Sequence, residues 1–121
     1  MIISIYSHKD CVAINTDRIN NILVRHALDT KTKFVRGVAV DFYIADYISD
    51  YKENSVMFSI DINSEDFKIH ETNEILNLKK YVIDYIVTRI RKSCNDIDIV
   101  KAVTHALNQT LINREGTNDI S

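Results

Sequence analysis

Polar and apolar residues alternate over two stretches of the chain. From Phe34 to Ala45 the even positions hold Phe34, Arg36, Val38, Val40, Phe42 and Ile44, and the odd ones Val35, Gly37, Ala39, Asp41, Tyr43 and Ala45. From Ser55 to Ile62 the order is cleaner, with Val56, Phe58, Ile60 and Ile62 set against Ser55, Met57, Ser59 and Asp61. A period of two puts successive side chains on opposite sheet faces, so the two runs predict an antiparallel hairpin with one buried face. A slip of one residue would expose the whole apolar set, which fixes the register. Val38, Val40, Phe42, Val56, Phe58 and Ile60 are the expected core. Asp41, Tyr43, Met57, Ser59 and Asp61 are expected on the outward face.

Elsewhere the period lengthens. Asn15, Thr16 or Asp17 offers a cap for a helix in which Ile19, Ile22, Leu23, His26 and Ala27 recur at helical spacing, fraying by Thr30. Asp29 to Lys33 reads as a loop. After a polar stretch from Asn63 to Thr72, with room for a short strand at 67–69, Asn73 caps a long helix. Ile75, Leu78, Val82, Tyr85, Ile86 and Ile90 form its stripe, and Leu76, Ile83 and Val87 widen it, so it is expected to cross the sheet centre. Arg89, Arg91 and Lys92 suit its C-terminal dipole. A cap at Asn95 or Asp96 predicts a last helix carrying Val100, Val103, Leu107 and Leu111, stopped at Gly116 with a frayed tail over 117–121. Ile2–Ser7 and Val12–Ile14 around the polar turn His8-Lys9-Asp10 fit one strand or a tight hairpin. The expected fold is a single α+β domain over residues 1–121. Its antiparallel sheet has three to five strands, with about three helices packed on one face.

Length and composition agree with one globular domain: 121 residues, 45% hydrophobic and 26% charged. With no proline and two glycines, turns fall to Asn, Asp, Ser and Lys. The 19 isoleucines and 11 asparagines suggest an AT-rich coding background, as in a phage or mobile element. No apolar run reaches the ~18 residues of a membrane span, and the first ten residues lack the pattern of a secretory signal, so the expected compartment is the cytoplasm. Cys11 and Cys94 are expected as thiols there.

Charge changes the picture more. Residues 41–76 carry nine acids against Lys52 and Lys68, a balance of −7 in a chain whose net charge is −2. Tyr43, Tyr47 and Tyr51 recur every four residues within that block, interleaved with Asp41, Asp46 and Asp50. Tyrosine brings large area and a polar tip at little entropic cost, and carboxylates around it attract a basic partner. Asp41, Tyr43, Asp46, Tyr47, Asp50, Tyr51, Met57 and Asp61 are therefore the candidate partner-binding residues.

Candidate chemistry is thinner. The chain has no GxGxxG, Walker, HExxH or GxSxG motif. His8-x-x-Cys11 has the spacing of half a zinc site, but Cys94, His70 and His105 supply no second half at ligand spacing. His26 and His105 sit near apolar helix faces, and no spacing selects an acid–base trio from the histidines and lysines. Capping and turn chemistry account for Asp96 with Asp98 and for Glu65 with Asp66. Lys79 and Lys80 lie ten residues from Arg89, Arg91 and Lys92, so nucleic-acid binding is not favoured. The sequence thus implies a binding module with no cofactor, metal or catalytic residue. Its expected use is that of an immunity- or antitoxin-type inhibitor covering a basic protein such as a toxin nuclease. Self-association through the open sheet face or an edge strand is the second expectation, and a small nuclease or nucleic-acid-binding protein the third.

Overall fold

Nine elements form among the described residues of a chain almost free of glycine. The computed structural model describes residues 1–45, 53–62, 68–70 and 72–120, without the side chains of Glu53 and residues 114–120. In order, β1 (Ile2–Tyr6) and β2 (Cys11–Asn15) lead to a single 3-10 turn (Thr16–Arg18), then β3 (Ile19–Leu28), β4 (Val35–Ala45) and β5 (Glu53–Asp61). α1 (Thr72–Arg91), β6 (Asp96–Asp98) and α2 (Ile99–Ile120) complete the chain. The α+β class holds. In place of one sheet under about three helices, the described residues form two three-stranded sheets, ordered β3-β4-β5 and β2-β1-β6, and two helices.

The missing helix is β3. Its cap signal is real, because the Asp17 N–H donates to Asn15 Oδ1 at 3.1 Å, but the helical turn ends at Arg18. A register shift follows between Ile19 and Asn21. This bulge puts Ile19 and Ile22, three apart, on one side and so imitates helical spacing. Beyond it the strand alternates plainly, with Ile22, Val24 and His26 inward and Leu23, Arg25 and Ala27 outward. β-branched Ile19, Ile22 and Val24, with Asn20 and Asn21 between them, favour the strand over a helix.

β4 is the middle strand of its sheet. It pairs Val38, Val40 and Phe42 with His26, Val24 and Ile22 of β3, and with Ile60, Phe58 and Val56 of β5. All six residues expected as core lie on the inward face, with Val56 half-buried and the rest buried. A second shift, between Ala27 and Leu28, leaves Arg36 between paired neighbours, so Val35 turns inward in the place that strict alternation gives to Arg36. Phe42 and Phe58 meet edge to face, with ring centres 6.1 Å apart. The β3–β4 loop closes on Asp29, whose Oδ1 accepts the amide N–H groups of Lys31 and Thr32 at 2.9 and 3.0 Å. Those donors, Thr32 first, hold the carboxyl below its usual range.

The first apolar runs form a hairpin. β1 and β2 pair from Ile2 with Asn15 to Tyr6 with Cys11. β6 joins the other edge of β1 in parallel. The sequence reads Asp96 as a helix cap, whereas Asp96 lies in β6 and Asp98 is the cap, accepting the Val100 N–H at 2.9 Å. Arg89 clamps this arrangement, donating Nη2 and Nε to the Asp96 carbonyl at 3.0 and 3.2 Å and Nη2 to Asp96 Oδ1 at 2.7 Å. α1 ends in a Schellman motif. Cys94 N–H bonds Arg89 O and Ser93 N–H bonds Ile90 O, with Ser93 at φ 54° in the place usually given to glycine. α2 passes Gly116, a predicted stop, and reaches Ile120. Glycine costs a helix interior ~1 kcal/mol and ends it only where φ turns positive, and no described glycine has positive φ. Residues 68–70 form no strand, although the Ile69 carbonyl accepts the Val35 N–H.

α1 rests against β3 and α2 against β5, so the helix pair shares the sheet where the sequence predicts α1 over its centre. Leu78, Val82 and Ile86 of α1, Ala102, Val103, Ala106 and Leu107 of α2, and Ile3, Ile5, Ile14 and Ile97 of the second sheet complete one core. Among the described residues the helices thus meet β3-β4-β5 on its inward face and also pack against β6.

His26 reports on that packing. It sits inward on β3, and its Nδ1 is buried with no hydrogen-bond partner among the described residues. Burial, and then the charge of Lys79 on α1, push its imidazole below the ordinary histidine value. The unfolded chain therefore binds this proton more readily, and the contribution of neutral His26 is lost as pH falls below ~6.5. Urea unfolding from pH 8 to 5 is expected to show the native chain losing more stability than His26→Leu. Parallel pH profiles would contradict this account of His26.

Candidate protein-binding face

The register lays the outward face of β3-β4-β5 in rows. Leu23, Asp41 and Met57 form one row; Arg25, Ala39 and Ser59 the next; Ala27, Gly37 and Asp61 the third; and Asn21, Tyr43 and Ser55 a fourth on the other side. Four of the candidate residues, Asp41, Tyr43, Met57 and Asp61, share this face. The other four, Asp46, Tyr47, Asp50 and Tyr51, lie outside the described residues.

Asp41 is not the exposed carboxylate its position suggests, because it is only 3% accessible. Its Oδ2 lies 2.8 Å from Arg25 Nη2, and the same nitrogen is 3.2 Å from Met57 Sδ. Its Oδ1 is buried with no partner among the described residues. The guanidinium itself is outward, with 54% of the Arg25 side chain exposed. Leu23, 44% exposed, and Met57, 52% exposed, flank the pair. A buried aspartate thus fixes an arginine at the centre of an open sheet face, between two exposed apolar side chains. Arginine ringed by apolar surface is the composition that dominates binding energy at interfaces.

Arg25 and Leu23 are absent from the sequence candidates because β3 reads as a helix. The signal that finds them is the alternation of Leu23, Arg25 and Ala27 against Ile22, Val24 and His26.

Among the described residues, two clefts border the face. One, of about 320 Å³, lies over Gly37 and Ala39, between Ala27 and Ser59, with Arg36 and Asp61 on its walls. The other, of about 330 Å³, separates Met57, Ser59 and Asp61 from the β1–β2 turn at Ser7–Asp10. A third, of about 340 Å³, opens on the helices, where Tyr85 meets His105 with ring centres 5.6 Å apart and Cys94 and Lys92 lie at one end. His70 packs on Phe34 at 5.0 Å. Two of the histidines considered for acid–base work, His70 and His105, thus pack on different aromatic rings. Among the described residues no three His, Cys, Asp or Glu side chains gather to hold a metal ion, and no helix is long and apolar enough to cross a membrane. No known protein family, curated protein or solved structure matches this chain.

The ion pair is asymmetric in burial, and that sets what its loss costs. Arg25→Ala leaves a buried carboxylate uncompensated and is expected to destabilise the chain by ~2 kcal/mol, at the low end for such pairs because Arg25 is half-exposed. Arg25→Met with Asp41→Leu removes both charges and is expected to recover most of that loss. Chemical denaturation of the two single variants and the double variant measures the coupling. Additive effects would show that the pair does not act as a unit.

Proposed function

We propose that this chain is a non-catalytic protein-binding module that covers a basic partner with the outward face of β3-β4-β5, in the manner of an immunity- or antitoxin-type inhibitor. The observation that carries this reading is the Arg25–Asp41 pair, preformed between exposed Leu23 and Met57 on the sheet face away from the helices. A rigid arginine in an apolar frame loses little entropy on binding. The basic character of the partner is supported by the −7 balance of residues 41–76, which includes the connection between β4 and β5 with its interleaved Asp and Tyr. Such a concentration of one sign steers association and weakens with salt. A nuclease toxin has the complementary charge, since its own ligand is polyanionic.

A second reading is self-association, favoured by the two long outer strands. Among the described residues β3 and β5 each pair only with β4 in their sheet, and open strand edges are templates for pairing.

Isolation of the partner through the tagged chain, followed by titration calorimetry, tests the first reading. Leu23→Asp or Met57→Asp is expected to weaken the complex at least tenfold. Leu76→Asp, at an exposed position on α1, is expected to leave affinity unchanged. Loss of binding only with the α1 variant would place the contact on the helices and overturn the assigned face.

A further inference from the structure

Asp41 is the one buried charged residue among the described side chains, and only half of its carboxylate is served. Oδ2 receives Arg25, while Oδ1 receives no donor among the described residues. A carboxylate accepts up to about four hydrogen bonds, and a buried acceptor left without one costs on the order of 1–3 kcal/mol. Beside it along the strand the face is hollow. Ala39 and Gly37 carry almost no side chain, and the trough above them runs to Ser59 and Asp61. Gly37 cannot fill it cheaply, because a Cβ there would lie 3.3 Å from the Ile60 carbonyl.

The geometry points to Asp41 as the receptor for an arginine side chain of the basic partner: the guanidinium donates to Oδ1 and the aliphatic stem lies over Ala39 in the trough. This rests on the reading that the face binds a basic protein, and it names the group that the face selects. A flat guanidinium completes the carboxylate opposite Arg25, giving an aspartate bridged by two arginines, and charge-assisted bonds of this kind are among the stronger ones. The trough is not uniformly acidic, since Arg36 stands on its wall with Asp61. Selection of a cation therefore falls to the unserved oxygen. Oδ1 is closed in the free chain, so the guanidinium reaches it only when a side chain moves aside, and unbranched, half-exposed Met57, opposite Asp41 on β5, is the one assigned to do so.

The test needs no partner. The labelled protein is titrated with N-acetyl-arginine amide, N-acetyl-lysine amide and N-acetyl-glutamine amide, and the amide resonances are followed by NMR. The arginine probe is expected to move Ala39, Asp41 and Ser59 together with the Met57 methyl, saturably and at millimolar concentration. The lysine probe should bind several-fold more weakly, and the glutamine probe should leave these signals in place. Asp41→Asn is expected to weaken the arginine effect at least tenfold. Ala39→Leu, which fills the trough and keeps Asp41, should do the same and guards against a folding defect in the first variant. Equal responses to arginine and lysine, or arginine shifts unchanged in either variant, would overturn the proposal. That failure would leave the partner-binding face itself standing, since the calorimetry above tests it separately.

Discussion

β4 bonds to a neighbouring strand on each edge, and every position on the larger sheet takes its side from that double pairing. Val38, Val40 and Phe42 go to the core because Val24 and Phe58 lie in register with Val40 on either side. Ala39, Asp41 and Tyr43 are carried outward by the same pleat. A slip of one residue would drive Asp41 into the apolar layer and expose Phe42, so the core and the outward face are two results of one constraint. The register shifts at either end of the β3–β4 ladder reconcile a strict period of two with the inward placement of Ile19 on β3 and Val35 on β4.

The outward face owes its character to where the charge on it ends up. Asp41 lies inside the most acidic part of the sequence, yet its carboxylate is closed off and turned to holding Arg25. The centre of the face is therefore charge-paired and partly apolar, with Leu23 and Met57 beside the ion pair. On the proposed reading, the acidic stretch of residues 41–76 supplies long-range attraction to a basic partner, and the row of Leu23, Asp41 and Met57 supplies the short-range fit.

What the sequence makes legible follows from how long each periodic signal is. The β4–β5 hairpin spans many alternating positions, and its core residues and the shared face of Asp41, Tyr43, Met57 and Asp61 can be read directly. Leu78, Val82 and Ile86 repeat every four residues and mark the buried side of α1. β3 is hidden because the bulge after Ile19 counterfeits a helical repeat, and with it go Leu23 and Arg25. β6 is three residues long, and Asp96 and Asp98 look alike as caps, although one bonds to Arg89 and the other starts α2. The turns are legible in kind but not in detail. Asn15, Asp29 and Asp98 use side-chain oxygens as such residues do, while Ser93 and Lys33 adopt the left-handed conformation that a chain with more glycine would give to that residue.

Methionine oxidation tests the assigned face most directly. The chain has two methionines. Met57 sits in the central row of the sheet face, and Met1, 42% exposed, sits at the start of the other sheet. Saturating the chain with its isolated partner and following peroxide oxidation by mass spectrometry compares them within one molecule. If the outward face of β3-β4-β5 is the binding surface, oxidation of Met57 slows at least tenfold in the complex while Met1 keeps its rate. Met57 oxidised as fast in the complex as in the free chain would contradict the account.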